Sequence, residues 1–169
     1  VKGVPEEIYS KLAVEPVLRT YLLSLIASGV VGTHEEIIEF FSETFWAYQF
    51  ADMFKLGAII NRMLHLLKEW EFITMADKDD SDFVSADTVK GEGRIHATLL
   101  GKRVAELYLD PMTAHHLIQC MRRAGSKPLE PVSFLQMISA TLEMRPLLRV
   151  KAKEYDLLQE ELVKSQDNL

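Results

Sequence analysis

The chain has 169 residues, of which 48% are hydrophobic and 26% charged, as is usual for one large globular domain or two small ones. This composition excludes a disordered, collagen-like or low-complexity protein, and no apolar run reaches the roughly 18 residues of a membrane-spanning helix. The net charge of −6 argues against an autonomous nucleic-acid-binding domain, which normally carries a basic excess.

Three helices are predicted in the first third of the chain. Pro5 and the acidic residues after it predict a short helix in PEEIYSKLA, because proline and carboxylates are favoured in a first helical turn. A second helix is predicted over residues 15–29, where nearly continuous apolar sequence indicates a central position and a glycine closes the helix. A third begins at Thr33, three residues before Glu36, which is the capping-box spacing. The aromatic segment FWAYQF (45–50) is predicted to form a packed joint between helices, with base stacking as the alternative.

A fourth helix, predicted over residues 55–70, has the clearest amphipathic pattern. At about 100° per residue, its apolar side chains fall in one half of the helical wheel. That half consists of Leu56, Ile59, Ile60, Met63, Leu64, Leu66, Leu67 and Trp70. The other half consists of Lys55, Asn61, Arg62, His65, Lys68 and Glu69. Such a helix packs one face and presents the other to water or to a ligand.

Short strands are predicted after this helix, at residues 71–77, at 83–87 and in IHATL, with an acidic turn between the first two. From Thr98 the pattern is helical again, with one apolar side formed by Leu99, Leu100, Val104, Leu107 and Tyr108. The helices predicted at 15–29, from Thr33 and at 55–70, together with the hairpin and the helix after it, follow the order of a winged helix. The third helix of a winged helix usually reads a DNA groove.

Residues 109–169 are predicted to be purely helical. One helix runs from Asp110-Pro111 to about Ala124, another from Pro131 through Ala140, and the last from near Val150. The predicted fold class is therefore mainly α: a winged helix of three helices and a small β-hairpin wing, followed by a partial helical bundle.

Catalytic and metal-binding motifs are not found in the sequence. There is no GxxxxGK[ST] loop, which excludes P-loop nucleotide binding by this chain. The five histidines are scattered, without an HExxH or a Cys-x-x-Cys pattern. Cys120, the single cysteine, cannot form an internal disulfide; we expect a core cysteine and a reducing, cytoplasmic compartment. We therefore expect this chain to contain no catalytic, metal-binding or cofactor-binding residues.

Nucleic-acid contact is the remaining possibility, and two groups of residues have suitable side chains. The first is the polar half of the fourth helix: Lys55, Asn61, Arg62, His65 and Lys68. Asn61 is the one candidate for a base edge, and the others are candidates for phosphates. The second group is the basic run Arg145, Arg149, Lys151 and Lys153. In both cases the alternative is a solvated helix surface, and Glu69 with the acidic hairpin would repel nearby DNA.

Four strings of the sequence resemble one protein family. They are VPEEIYSKLAVEPVLRTYLLSLIASG (4–29), FFSETFWAYQ (40–49), LGKRVAELYLDPMTA (100–114) and ISATLEMRPLLRVKAKEYDLL (138–158). They are similar, in the same order, to the archaeal superfamily-two DNA repair helicases of the Hjm type, Ski-like enzymes that act at stalled replication forks. Because Val1 is not Met and no signal-peptide pattern is present, we expect a fragment of a longer protein.

The resemblance implies a domain organisation. In that family two RecA-like motor domains precede a winged helix, a helical ratchet domain and a small helix-loop-helix domain. Residues 1–14 would be the connector from the second motor domain, 15–108 the winged helix, and 109–169 the N-terminal part of the ratchet. ATP and Mg²⁺ would bind the motor domains of the parent protein.

The function implied is a non-catalytic, DNA-engaging and coupling fragment of an ATP-dependent 3′–5′ DNA helicase in replication-fork repair and recombination. Expected partners are forked or partial-duplex DNA, the parent's motor domains and replication or repair proteins, but no membrane. Two alternatives from other classes are a free-standing winged-helix transcriptional regulator and a protein-interaction module. The regulator predicts dimerisation, a pseudo-palindromic site and a basic wing, whereas the wing of this chain is acidic.

Overall fold

Helices account for most of the fold, and their positions follow from local sequence signals. The computed structural model describes residues 3, 6–12, 14–50, 52–75, 93–125 and 129–165. These residues form eight α-helices and one two-stranded sheet, which confirms the mainly α fold class. The chain divides into two compact units, Val1–Pro111 and Met112–Leu169, and each is described by itself.

The first unit contains five helices and both strands. They are α1 (Glu15–Ala27), α2 (His34–Ser42), α3 (Phe45–Phe50), α4 (Met53–Glu69), β1 (Ile73–Met75), β2 (Ile95–Ala97) and α5 (Leu99–Glu106). The order is consistent with the predicted winged helix. The strand predicted at 83–87 and the acidic turn (Asp77, Asp79, Asp80 and Asp82) lie outside the described residues.

The predicted helix boundaries at α1 and α2 are confirmed. Proline stands in the first turn of α1, and Gly29 follows the helix with a positive φ of 75°, which glycine adopts without strain. Thr33 is the N-cap of α2, and the capping box with Glu36 is complete in both directions. These signals involve residues only three or four positions apart, which is why the sequence reveals them.

The core of the first unit lies between α1, α4 and the sheet. The apolar half of α4 is confirmed as its buried face: Leu56, Ile60, Met63, Leu64 and Leu67 are buried, and the remaining three are half-buried. They pack with Leu18, Leu22, Leu23 and Ile26 of α1 and with Phe72, Ile73 and Ile95 around the strands. Burial of this stripe fixes the rotation of α4 and leaves its polar half exposed.

The sheet is a short antiparallel pair. Ile73 pairs with Ala97, and Met75 pairs with Ile95. Ile95 also donates its backbone N–H to the carbonyl of Gly32 at 2.7 Å, which ties β2 to the segment before α2.

The helix predicted at the start of the chain is wrong. Residues 6–10 are not helical, because their backbone groups bond to a distant side chain. Gln49 Oε1 accepts from Ser10 N at 2.7 Å, and Gln49 Nε2 donates to the carbonyl of Ile8 at 2.7 Å. A nine-residue helix is marginal in isolation, so these long-range bonds prevail. The segment FWAYQF forms the short helix α3 between α2 and α4, and its Trp46 is buried and packs edge-on against Phe41, as expected for a packed joint between helices.

The buried side of α5 agrees with the prediction only in part. Of the predicted apolar side, Val104 is buried and Leu100 half-buried, whereas Leu99, Leu107 and Tyr108 are exposed. Gly101, which was not predicted, is buried: the helix approaches the backbone of Phe72 so closely that a Cβ on Gly101 would lie 1.9 Å from the Phe72 carbonyl oxygen. This close approach turns Gly101 inward beside Val104 and leaves Leu99 on the outer side.

The second unit contains α6 (Pro111–Ala124), α7 (Pro131–Ser139) and α8 (Tyr155–Lys164), with short 3₁₀ turns at Leu142–Met144 and Ala152–Glu154. The helices predicted from Asp110-Pro111 and from Pro131 are confirmed. The last helix begins at Tyr155 and not near Val150: residues 147–151 are not helical, and the 3₁₀ turn Ala152–Glu154 precedes α8. Glu154 Oε2 accepts a hydrogen bond from the backbone N–H of Lys151 at 3.1 Å, and this capping contact starts the helical geometry after Lys151.

Candidate nucleic-acid interface

The polar half of α4 forms one exposed surface. At about 100° per residue, Lys55, Asn61, Arg62, His65 and Lys68 span an arc of roughly 140°, and all five are exposed. We call these five residues the α4 polar face. Glu69, the one acidic member of the polar half, is exposed on the same arc. The helix is capped by Asp52, whose carboxylate accepts a hydrogen bond from the backbone N–H of Lys55 at 3.1 Å. This hydrogen bond holds the pKa of Asp52 below its usual value, so the cap is negatively charged at neutral pH.

Two cations of the α4 polar face already have carboxylate neighbours. Lys55 Nζ lies 3.5 Å from Asp52 Oδ2, and Arg62 Nη2 lies 2.9 Å from Glu15 Oε1 on α1. Both cationic side chains are 70% exposed, and exposed pairs of this kind contribute only about 0–1 kcal/mol. A phosphate oxygen can therefore replace either carboxylate at little cost.

Asn61 also has a partner, His34 at the start of α2. The ring nitrogen Nε2 of His34 lies within hydrogen-bond distance of Asn61 Oδ1. A carboxamide oxygen only accepts hydrogen bonds, so this contact requires the proton on Nε2. The oxygen of Asn61 is thus turned toward His34 of α2, and this contact does not use the amide N–H groups of Asn61.

The basic run lies in the second unit. Arg145, Arg149, Lys151 and Lys153 are all exposed. Arg145 and Lys151 have extended backbone, Arg149 lies between them outside any helix, and Lys153 lies in the 3₁₀ turn, so the four are not the start of a long helix. A hydrogen bond from the Thr113 hydroxyl to Glu143 Oε2, at 2.7 Å, attaches the residues just before this run to α6.

One ion pair was missed by sequence reasoning and is the most buried in the part of the chain that the structure describes. Arg19 of α1 and Asp110 are only 4% and 9% exposed, and they form a two-point contact. Arg19 Nη2 donates to Asp110 Oδ2 at 2.5 Å, while Nε donates to Oδ1. The signal in the sequence is a lone arginine among the apolar residues of α1. Its partner is 91 positions away, beyond the reach of any local pattern.

Other chemistry is sparse in the described ranges. There, no three His, Cys, Asp or Glu side chains come together as a metal site, and no helix has the length and apolarity to cross a membrane. Cys120 is half-buried and not in a core, with its sulfur 3.7 Å from Nε2 of His116 on the same helix. The α4 polar face and the basic run are therefore two separate candidate contact surfaces, one in each compact unit.

Comparison with known proteins identifies relatives, although no family model matches the chain. The chain is 37% identical over 157 residues, 92% of its length, to "ATP-dependent DNA helicase Hel308" of Methanocaldococcus jannaschii, and covers 11% of that protein. It is 34% identical over all 169 residues to the protein of that name from Pyrococcus horikoshii, covering 21% of it. The corresponding protein of Methanocella arvoryzae is 31% identical over 148 residues, with 18% covered.

The class that these relatives define is that of archaeal DNA helicases, which agrees with the predicted resemblance. More narrowly, the chain belongs to the Hel308 family over the stretch that the comparisons align. It spans between 11% and 24% of the length of the relatives, so it corresponds to one segment of each.

Proposed function

We propose that this chain is a non-catalytic, DNA-engaging and coupling segment of an ATP-dependent 3′–5′ DNA helicase that acts in replication-fork repair and recombination. The observation that carries the proposal is the α4 polar face, on a helix whose opposite half is buried. The Hel308 relatives support DNA as the ligand, because each is named a DNA helicase. The 3′–5′ polarity and the repair role rest on the family resemblance alone.

In this proposal the α4 polar face contacts the phosphate backbone of duplex DNA. Lys55, Arg62 and Lys68 supply positive charge, and His65 supplies a further polar ring on the same arc. Five apolar side chains pack α4 into the core, so a force that bound DNA exerts on the exposed face is transmitted to α1 and the sheet. The segment can therefore steer the duplex as a rigid body while another part of the protein moves the strand.

The basic run is proposed to contact single-stranded DNA. The run lies outside any α-helix, so Arg145, Arg149, Lys151 and Lys153 are distributed along the chain instead of around a helix. Such spacing suits the regularly placed phosphates of a single strand. The Thr113–Glu143 hydrogen bond would fix where this stretch starts.

ATP and Mg²⁺ belong, in this proposal, to motor domains of a longer helicase, and no residue of this chain is assigned to hold them. The motor domains would be the principal protein partners, and replication or repair proteins further ones. The contribution of the chain is to hold and orient DNA while ATP hydrolysis elsewhere drives movement.

The test is a titration of the chain onto forked, duplex and single-stranded DNA at several salt concentrations, followed by fluorescence anisotropy. One variant changes Lys55, Arg62 and Lys68 to Ala. The charge-matched control changes Lys102, Arg103 and Lys164, three exposed cations on α5 and α8, to Ala. We expect the first variant to lose duplex and fork binding and the control to retain it. The slope of log affinity against log salt should fall by about 0.9 for each phosphate contact removed.

Equal affinity of the two triple variants for duplex DNA would overturn the role of the α4 polar face. Tight, sequence-specific binding by a dimer would instead indicate a winged-helix regulator. Absence of binding to all three DNAs at low salt would favour a protein-interaction module. A third variant, with all four cations of the basic run changed to Ala, should lose affinity for single-stranded DNA and keep it for the duplex.

A further inference from the structure

The contact between His34 and Asn61 is built into the packing of α2 against α4. A Cβ placed on Gly57 would lie at an ordinary 3.9 Å from Ile38 Cδ1, so the side chain of Ile38 on α2 reaches α4 at that point. His34 lies four residues before Ile38, and Asn61 lies four residues after Gly57. The His34–Asn61 contact is therefore one helical turn away from the Gly57–Ile38 contact, on facing sides of the two helices.

The backbone position of His34 is itself fixed. Thr33 Oγ1 accepts from Glu36 N at 3.2 Å, and Glu36 Oε2 accepts from the backbone N–H groups of Thr33 and Gly32 at 3.2 and 2.6 Å. His34 is the first residue of the helix that this capping box starts. Its ring consequently reaches α4 from a fixed helix terminus and not from a loop.

The chemical consequence concerns what Asn61 can recognise. An asparagine reads adenine by donating from its amide nitrogen to N7 while its oxygen accepts from the N6 amino group. In this structure the oxygen is turned toward Nε2 of His34, and the amide N–H groups are not used by that contact. A donor can bind a phosphate oxygen, or N7 of either purine, and so does not discriminate between adenine and guanine.

We propose that His34 is a positioning residue that restricts Asn61 to hydrogen-bond donation, so that the α4 polar face holds duplex DNA without reading adenine. This proposal rests on the proposed function, since it concerns the same helix face. A bidentate asparagine–adenine contact would favour the matching base by about five- to a hundredfold. A segment that steers a moving duplex needs the opposite behaviour, namely equal affinity for every sequence that passes.

The experiment measures the affinity ratio between two duplexes of equal length, one with adenines throughout its central segment and one with guanines in their place. The proteins are the unaltered chain, His34→Ala, His34→Gln and the double variant His34→Ala with Asn61→Ala. We expect a ratio within twofold of one for the unaltered chain and for His34→Gln, whose amide retains a donor. His34→Ala should prefer the adenine duplex at least fivefold, and the double variant should lose that preference. Replacing adenine by 7-deaza-adenine should also abolish it.

An unchanged ratio in His34→Ala, or an adenine preference already present in the unaltered chain, would overturn the proposal. A preference in His34→Ala that survives removal of Asn61 would overturn it as well.

A measurement without DNA separates this proposal from the proposed function: nitrogen NMR of the imidazole should show the proton on Nε2 of His34. The Asn61 amide signals should shift in His34→Ala but little in His34→Gln. If no duplex binds, the proposed function fails, while a proton on Nδ1 would by itself refute the positioning role.

Discussion

Gly101 is the position at which a single added methyl group should damage the fold most clearly. A Cβ there would lie 1.9 Å from the carbonyl oxygen of Phe72, 2.8 Å from its carbonyl carbon and 3.1 Å from its Cα. All three are backbone atoms, so no side-chain rotation relieves the contact. The same carbonyl oxygen accepts the backbone N–H of Thr98 at 2.9 Å, and Thr98 is the N-cap of α5. Gly101→Ala must therefore move the helix start, the strand end or both.

The magnitude follows from three contributions. Overpacking a closely packed site typically costs about 1–3 kcal/mol. Loss of the hydrogen bond from Thr98 N to the Phe72 carbonyl adds about 1 kcal/mol, while alanine gains about 1 kcal/mol over glycine in a helix. We expect Gly101→Ala to lower the free energy of unfolding by about 1–3 kcal/mol. Gly57→Ala is the matched control, because its Cβ would meet Ile38 Cδ1 at an ordinary 3.9 Å.

The assay is urea unfolding followed by tryptophan fluorescence. Trp46 and Trp70 are the two tryptophans of the chain and both lie in the unit Val1–Pro111, so the signal reports the unit that contains Gly101. The control should gain up to about 1 kcal/mol through helix propensity. If Gly101→Ala unfolds within about 0.5 kcal/mol of the unaltered chain, the close approach of α5 to Phe72 is wrong.

Three further changes test other contacts. Asp110→Ala leaves the charge of Arg19 buried without its carboxylate and should lower the free energy of unfolding by about 3–5 kcal/mol in the same urea assay; a loss below about 1 kcal/mol would contradict the buried pair. Glu15→Gln releases Arg62 from an exposed ion pair and should raise duplex affinity up to about fivefold in anisotropy at low salt, fading as salt rises; a loss of affinity would contradict this role. Thr33→Ala removes the capping box of α2 and should destabilise the chain by about 1 kcal/mol, measured in urea, whereas Thr33→Ser should be nearly neutral.

Local features of the fold could be predicted from the sequence because their physical causes are local. The capping box at Thr33 and the buried stripe of α4 depend on residues within a few turns of one another. The start of α5 could not be predicted in the same way. Glycine has a low helix propensity and no side chain, so no sequence pattern indicates that Gly101 is buried. Its burial follows from the approach of the Phe72 carbonyl, which belongs to a segment far from α5 in the sequence.

For the α4 polar face, too, the sequence predicts local features but not long-range contacts. The composition of the α4 polar face follows from its periodicity, but the partners of its members do not. His34 reaches Asn61 across 27 positions, and Arg62 meets a carboxylate of another helix. Periodicity indicates which side chains are exposed together. Only the packing of α1 and α2 on α4 determines which of their atoms remain available to a ligand.

The net charge of −6 gains a different meaning once these partners are known. Part of the acidic excess is paired with cations of the α4 polar face, because Arg62 lies beside Glu15 and Lys55 beside Asp52. On the proposed function, DNA binding exchanges Glu15 or Asp52 for a phosphate oxygen at each of these cations. The free energy gained is then a difference between two similar ion pairs and stays small. Weak, salt-sensitive and sequence-indifferent contacts are what a steering surface requires, because every contact must break again when the duplex advances.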